Sequence, residues 1–256
     1  MALLEVKNLR KVYTTRLGGN KVQALDNVNF SVEQGEYVAI MGESGSGKTT
    51  LLNIMASLDR PTGGLVVLAG RNMADIKQKD LCAFRRDNLG FVFQDFNLLD
   101  TLTVEENIGL ALSLNHQNPG TVQNRVREVA GKLGITDILA KFPYQVSGGQ
   151  KQRTACARAM VAGQSLLLAD EPTGALDSKA SKNLLEIMTT MNQDMGATIL
   201  MVTHDAYSAS YAKRVLFLKD GRVFNELLRG ERGRPVFYHE ILDVLAALGG
   251  DVSDVI

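Results

Sequence analysis

Cysteine is scarce in this 256-residue chain, and the two thiols, Cys82 and Cys156, stand far apart in no metal-binding spacing. That excludes a zinc ribbon and a disulfide scaffold and points to reduced thiols in the cytoplasm. Neither sign of charge is in excess, since 28 Lys and Arg balance 28 Asp and Glu. A protein whose main task is non-specific nucleic-acid binding carries a basic surplus, so that class is set aside. Long apolar runs are missing as well. The longest, such as Thr198 to Val202, are strand-length, far short of the ~20 residues that cross a bilayer. The opening Met1 to Tyr13 has no long apolar stretch behind a basic start, so no signal peptide is expected. Work at a membrane would then go through a partner. What the chain does have is a hydrophobic content of 45 %, enough to bury the core of one domain.

Along the chain, Leu3 to Val12, Val28 to Val32 and Tyr37 to Met41 read as strands, with a polar loop between Tyr13 and Val22 and a turn at Gln34-Gly35. A glycine-rich loop spans Gly42 to Gly47, and Lys48 to Leu58 has helical spacing. Gly64 to Gly70 is hairpin-like. From about residue 96 the texture turns helical. Thr103-Val-Glu-Glu106 is a capping-box pattern opening a helix to about Asn115, Asn118-Pro-Gly120 breaks it, and Val122 to Leu133 carries a new stripe. Ser147 to Ala162 is a further helix. Strand-like runs return at Leu166 to Ala169 and Thr198 to Val202 around a helix near Ser181 to Met191. Such alternation implies an α/β fold with a mostly parallel sheet, into which roughly 96–156 is inserted.

Three segments carry chemistry. Gly42-Glu43-Ser44-Gly45-Ser46-Gly47-Lys48-Thr49, followed by Thr50, fits G-x-x-x-x-G-K-[ST] between a strand and a helix. Glycines let successive backbone N–H groups converge on phosphate oxygens at a helix N-terminus. Lys48 is placed for the β- and γ-phosphates and the Thr49 hydroxyl for Mg²⁺. Leu166 to Ala169 then delivers Asp170 and Glu171 at a strand's carboxyl end, where ligands of α/β sheets sit. Asp170 suits Mg²⁺ and Glu171 suits polarising an attacking water. Thirdly, Ser147-Gly148-Gly149-Gln150 starts a helix 99 residues beyond Lys48. It is a second phosphate-ready helix end, which has to serve another nucleotide or the same nucleotide from another subunit, unless it is a plain helix cap.

Ser147 to Gln150, 23 residues before Asp170, resembles the signature motif of ABC ATPases. The resemblance runs from about residue 3 to 228, with Val146 where Leu is commoner. It implies a P-loop NTPase (RecA-like) core over 1–95 and 157–228, an N-terminal antiparallel β subdomain, a helical subdomain at 96–156 and a C-terminal extension at 229–256. It implies that Tyr13 stacks on adenine, that Gln94 contacts Mg²⁺ or water and faces a membrane partner, that Asp177 lies in the D-loop and that His204 touches the γ-phosphate. Taken singly, Tyr13 also suits edge-strand packing, Gln94 a solvated loop and His204 a strand end; His116 and His239 read as surface residues. The family pattern further implies ATP and Mg²⁺ as cofactors and two copies paired head to tail, each ATP lying between Lys48 of one and Ser147 of the other. It implies a separate permease as the only membrane contact, at the cytoplasmic face of the plasma membrane.

Asp170-Glu-Pro-Thr-Gly-Ala-Leu-Asp177 is similar to the group holding macrolide, lipoprotein-release and cell-division ATPases. Thr15 to Asn20, Phe93 to Thr103, Gly174-Ala175 and the tail Pro235 to Gly250 resemble the Bce-type transporters, which confer resistance to peptide antibiotics such as bacitracin. The tail also reads simply as a packed helix with Phe237, Ile241, Val244, Leu245 and Leu248 as its stripe. Two alternatives stand beside transport: an ABC ATPase that signals to or pulls on an envelope protein, and a metabolic kinase, which leaves Ser147 to Gln150 unexplained.

Overall fold

The computed structural model describes residues 2–14, 19–93, 96–174 and 176–249. In chain order its elements are strands β1 (Ala2–Thr14), β2 (Lys21–Glu33) and β3 (Tyr37–Met41), helix α1 (Lys48–Met55), strands β4 (Gly63–Leu68) and β5 (Arg71–Asn72), helix α2 (Leu81–Asn88) and strand β6 (Leu89–Phe93). Helices α3 (Val104–Leu114), α4 (Pro119–Lys132) and α5 (Gly148–Met160) follow, then β7 (Leu166–Asp170), α6 (Ser178–Gln193) and β8 (Ile199–Val202). Helix α7 (Ala206–Ala209), the pair β9 (Arg214–Lys219) and β10 (Arg222–Leu228), and helix α8 (Arg234–Gly249) complete the chain. Two compact units result, one running to Gln78 and resuming at Leu200, the other Lys79–Ile199.

The first unit holds an antiparallel sheet in the order β2-β1-β4-β5. Its buried positions change phase along β1, from Leu4 and Val6 to Leu9. An extra residue at Asn8, with φ +49°, makes a bulge between the pairs Val6–Phe30 and Leu9–Val28. Near the end of β1, Asp59 gathers three donors: Lys11 Nζ at 2.5 Å, the Tyr13 hydroxyl at 2.7 Å and the Arg60 N–H at 2.7 Å. Burial pushes the Asp59 carboxyl up, but these hydrogen bonds outweigh it and hold it below the ordinary carboxylate value.

Strand β3 is buried at every position and pairs in parallel with β9, from Val38–Arg214 to Met41–Phe217. The hairpin from β9 to β10 turns on Asp220 and Gly221, both at positive φ, the backbone that a two-residue Asp-Gly turn requires. Thr203 N–H donates to the Ile40 carbonyl, which fastens the end of β8 to β3.

In the second unit β6 and β7 pair in parallel from Leu89–Leu166 to Phe93–Asp170. Gly90 lets α5 reach the strand: a Cβ there would stand 2.1 Å from the Ala159 carbonyl oxygen and 2.4 Å from Leu167 Cδ2. Cys156, fully enclosed on α5, has its thiol pushed up to about 12 by burial, as suits a packing residue. Helix α3 opens with the expected box: Thr103 N–H donates to Glu106 Oε2 at 2.7 Å, and Glu106 N–H to Thr103 Oγ1 at 3.2 Å. The Asn118-Pro-Gly120 segment separates α3 from the next helix as expected, but that helix starts earlier than the stripe from Val122 implies. Asn118 caps α4 by accepting from Gly120 N–H, and Pro119 occupies the first turn, where a missing N–H costs nothing, so α4 begins three residues before Val122.

The parallel strands, the antiparallel β sheet and the helices between β6 and β7 match the α/β class expected. Gly90→Ala is expected to destabilise the fold by about 1–3 kcal/mol through overpacking, read as a lower urea midpoint. The Asp59 carboxylate stabilises where its unfolded counterpart is ionised, above pH ~4 to 5, and loses that contribution as pH falls through its depressed folded value. The stability gap between the wild type and Asp59→Asn should therefore be full at pH 7 and shrink by pH ~3 in urea titrations.

Candidate functional site

In the first unit the buried strand β3 ends at Met41 and the chain enters the glycine-rich loop at once. Gly45 (φ +83°) and Gly47 (φ +101°) take the left-handed backbone that turns the loop into α1. Gly42 and Gly47 have no room for a side chain. A Cβ on Gly42 would lie 2.2 Å from the Leu218 carbonyl oxygen, and one on Gly47 2.5 Å from that of Ala24. Helix α1 starts at Lys48 without a side-chain cap, and a helix N-terminus is a favourable place for an anion. Lys48, 9 % exposed, donates to the carbonyls of Gly42 (2.8 Å) and Glu43 (2.7 Å). The buried Ser46 hydroxyl has no hydrogen-bond partner among the described residues. A crowded loop with a buried ammonium, an orphan hydroxyl and uncapped amides fits a phosphate chain.

His204 is exposed and directly follows Thr203, whose N–H bonds Ile40 one residue before the end of β3. The histidine therefore leaves β8 close to where β3 feeds the loop. Asp205 fixes its other side by capping α7 through the N–H groups of Tyr207 and Ser208. Tyr13 is 41 % exposed; Lys11 Nζ lies 4.7 Å from its ring centroid and its hydroxyl is held by Asp59.

The second unit holds the acids. Strand β7 is buried through Ala169 and ends at Asp170, half-buried and in register with Phe93. Glu171 has φ +43°, a left-handed backbone that a glutamate seldom adopts, and its carbonyl accepts from Gly174 N–H at 3.0 Å. Strain of this kind concentrates at functional positions. Ser147 is exposed and caps α5: its N–H donates to Gln150 Oε1 at 3.0 Å and its Oγ accepts from Gln150 N–H at 3.4 Å. Cβ atoms on Gly148 or Gly149 would meet nothing within 4 Å, so this helix end is open. Asp177, also exposed, caps α6 by accepting from Ala180 N–H at 2.8 Å. Gln94, Asp95, Thr15 to Gly18, Ala175 and the residues from Gly250 on lie outside the described residues.

Two residues without a motif stand out. Arg158 on α5 donates to the carbonyls of Phe96 and Asn97, which both have left-handed backbones (φ +53° and +46°) just beyond Gln94. Asn107, fully buried, donates to the carbonyls of Leu99, Leu102 and Thr103 and accepts from Leu99 N–H. Together they hold segment 96–103 to α5 and α3. Among the described residues no three His, Cys, Asp or Glu side chains group as a metal cluster, and no helix is long and apolar enough to cross a membrane.

Residues 25–174 match the family model described as ABC transporter. The chain is 53 % identical over 252 residues to the ABC transporter ATP-binding protein YxdL of Bacillus subtilis (strain 168), covering 98 % of this chain and 96 % of that one. It is 46 % identical over 254 residues to the bacitracin export ATP-binding protein BceA of Halalkalibacterium halodurans, covering 99 % and 100 %. The solved dimer of the cassette MJ0796, a Methanocaldococcus jannaschii protein bound to ADP and Pi after hydrolysis, superposes with a TM-score of 0.75 at 39 % identity. That match covers 88 % of this chain and 98 % of the other. The chain thus belongs to the ABC transporter family, as an ATP-binding, ATP-hydrolysing subunit.

Proposed function

We propose that two copies of this chain pair head to tail around Mg²⁺-ATP and drive a separate permease that removes bacitracin-like peptides at the cytoplasmic face of the plasma membrane. The observation that carries pairing is the open helix end at Ser147-Gly148-Gly149. It is a second anion site on a chain whose phosphate loop already cradles one triphosphate. The peptide reading rests on end-to-end likeness to the bacitracin export protein.

On binding ATP, Lys48 exchanges its two loop carbonyls for β- and γ-phosphate oxygens, anionic acceptors that make stronger charge-assisted bonds. Backbone N–H groups of Gly42 to Thr50 and the Ser46 hydroxyl complete the cradle, and Tyr13 stacks on the adenine. Thr49 and Asp170, with Gln94, would hold Mg²⁺. Bound there, the ion offsets negative charge on the phosphates. Glu171 accepts a proton from water as its oxygen attacks the γ-phosphorus. The bond to the bridging oxygen breaks, ADP departs with that electron pair, and the proton then passes to solvent. His204 holds the γ-phosphate from its own chain. Ser147 to Gln150 reach it from the partner copy, with Asp177 at the same junction. Because the γ-phosphate belongs to the interface, ATP closes the pair and hydrolysis reopens it. Gln94 relays that motion to the permease.

Glu171→Gln should lower ATP turnover at least about 100-fold, in the range of a lost general base, while ATP stays bound. Unchanged turnover would overturn the role of Glu171. Lys48→Ala should weaken ATP binding about tenfold to a hundredfold, the worth of a charge-assisted contact; unaltered affinity would remove the phosphate-loop assignment. In cells, loss of the gene should sensitise the host to bacitracin-type peptides, and unaltered resistance would contradict the peptide reading.

A further inference from the structure

We infer that α8 is a strut that positions both γ-phosphate-facing groups of the first unit, with Lys219 and Arg234 as its two positioning residues. The inference rests on the phosphate-loop reading above and adds a role for the C-terminal helix. Phe237, Ile241 and Leu248 are buried on one stripe of α8, while its two ends touch the segments that matter.

At the far end, Lys219 Nζ donates to the Leu248 carbonyl at 2.8 Å. An ammonium on one of the last carbonyls of a helix satisfies an unpaired acceptor and complements the helix dipole. Leu248 lines a cavity of ≈ 140 Å³ with Glu43 to Ser46 and Leu218 to Asp220, and a Cβ on Gly249 would stand 3.6 Å from Glu43 Oε1. Two residues beyond Lys219, Gly221 N–H donates to the Ser46 carbonyl at 3.1 Å, and the Gly221 carbonyl accepts from Asp26 N–H at 2.8 Å. The chain of contacts therefore runs from α8 through Lys219 and the β-turn into the phosphate loop. A glycine-rich loop is costly to order on binding, so a loop ordered beforehand binds its anion more tightly.

At the near end, the Arg234 guanidinium lies 4.3 Å from the Tyr211 ring centroid and 5.2 Å from that of Tyr207. The two rings meet edge to face at 5.5 Å, with their hydroxyls 3.0 Å apart. Tyr207 belongs to α7, whose cap Asp205 adjoins His204 and donates its own N–H to Thr203 Oγ1 at 3.1 Å. Arg234 thus bears on the segment that carries the histidine. The loop end governs nucleotide binding and the histidine end governs turnover, so the two ends should separate in kinetics.

The test uses the purified full-length chain and its Lys219→Met, Lys219→Arg and Arg234→Ala variants, with Lys48→Ala as control. Thermal midpoint, ATP affinity, KM and kcat are measured for each. Lys219→Met is expected to raise the ATP Kd and KM about threefold to tenfold with kcat within about twofold, and Lys219→Arg to restore most of the affinity. Arg234→Ala is expected to lower kcat about threefold or more at an unchanged KM. Wild-type values in both variants, or a loss of kcat that only tracks a lowered thermal midpoint, would overturn the strut. Should Lys219→Met not fold, Lys219→Gln takes its place under the same criteria. The control separates the two readings. If Lys48→Ala binds ATP as the wild type does, the phosphate-loop assignment fails and the strut with it. If Lys48→Ala loses ATP while the α8 variants match the wild type, the strut alone fails.

Discussion

The Leu218 carbonyl oxygen stands 2.2 Å from the place a Gly42 Cβ would take, and most of the first unit follows from that approach. Backbone can crowd backbone there only because Gly42 carries no side chain. Strand β9 lies in register beside β3 from Val38–Arg214 to Met41–Phe217, which brings Leu218 against the start of the loop. Gly47 meets the Ala24 carbonyl in the same manner, so β2 walls the loop from another direction. The result is a crowded turn whose lysine already lies inward, bonded to Gly42 and Glu43. If ATP fills the loop as proposed, Lys48 exchanges one set of acceptors for another and little of the loop has to be ordered.

The acids answer a different constraint. Asp170 and Glu171 follow four buried residues of β7, so the strand has no freedom to place them elsewhere. Glu171 carries the additional cost of a left-handed backbone, of order 1 kcal/mol or more for a residue with a Cβ. Ser147 on the same unit spends its hydroxyl on Gln150, and its flanking glycines leave the helix end bare. Such an end is stable without a ligand yet open to one, the condition needed if its phosphate arrives on another subunit.

Much of this was readable beforehand, for physical reasons that differ by element. Tyr37–Met41 as a strand and Thr103 as a cap depend on local pattern, and both agree with the structure residue for residue. Asn118-Pro-Gly120 has the composition of a break, yet proline in a first helical turn gives up only a spare N–H, so it opens α4. The hairpin β9–β10 had its signal in Asp220-Gly221 between two β-rich runs. Arg158 and Asn107 had none. Which polar side chain will be buried against which carbonyl is decided by tertiary packing, and no spacing announces it. The motifs point to the chemistry, but the contacts of α8 with Lys219, Tyr207 and Tyr211 join residues that no motif contains.

The central claim is that each nucleotide is held by the phosphate loop of one copy and the Ser147 helix end of another. Complementation tests it most directly, with two inactive chains, Lys48→Ala and Ser147→Arg, each also carrying Glu171→Gln so that bound ATP is kept. In a head-to-tail pair the mixed dimer contains one site with both lesions and one with neither. Neither chain alone is expected to retain ATP through gel filtration, whereas the mixture should retain about one ATP per mixed dimer. No recovery on mixing, with both chains folded, would contradict it.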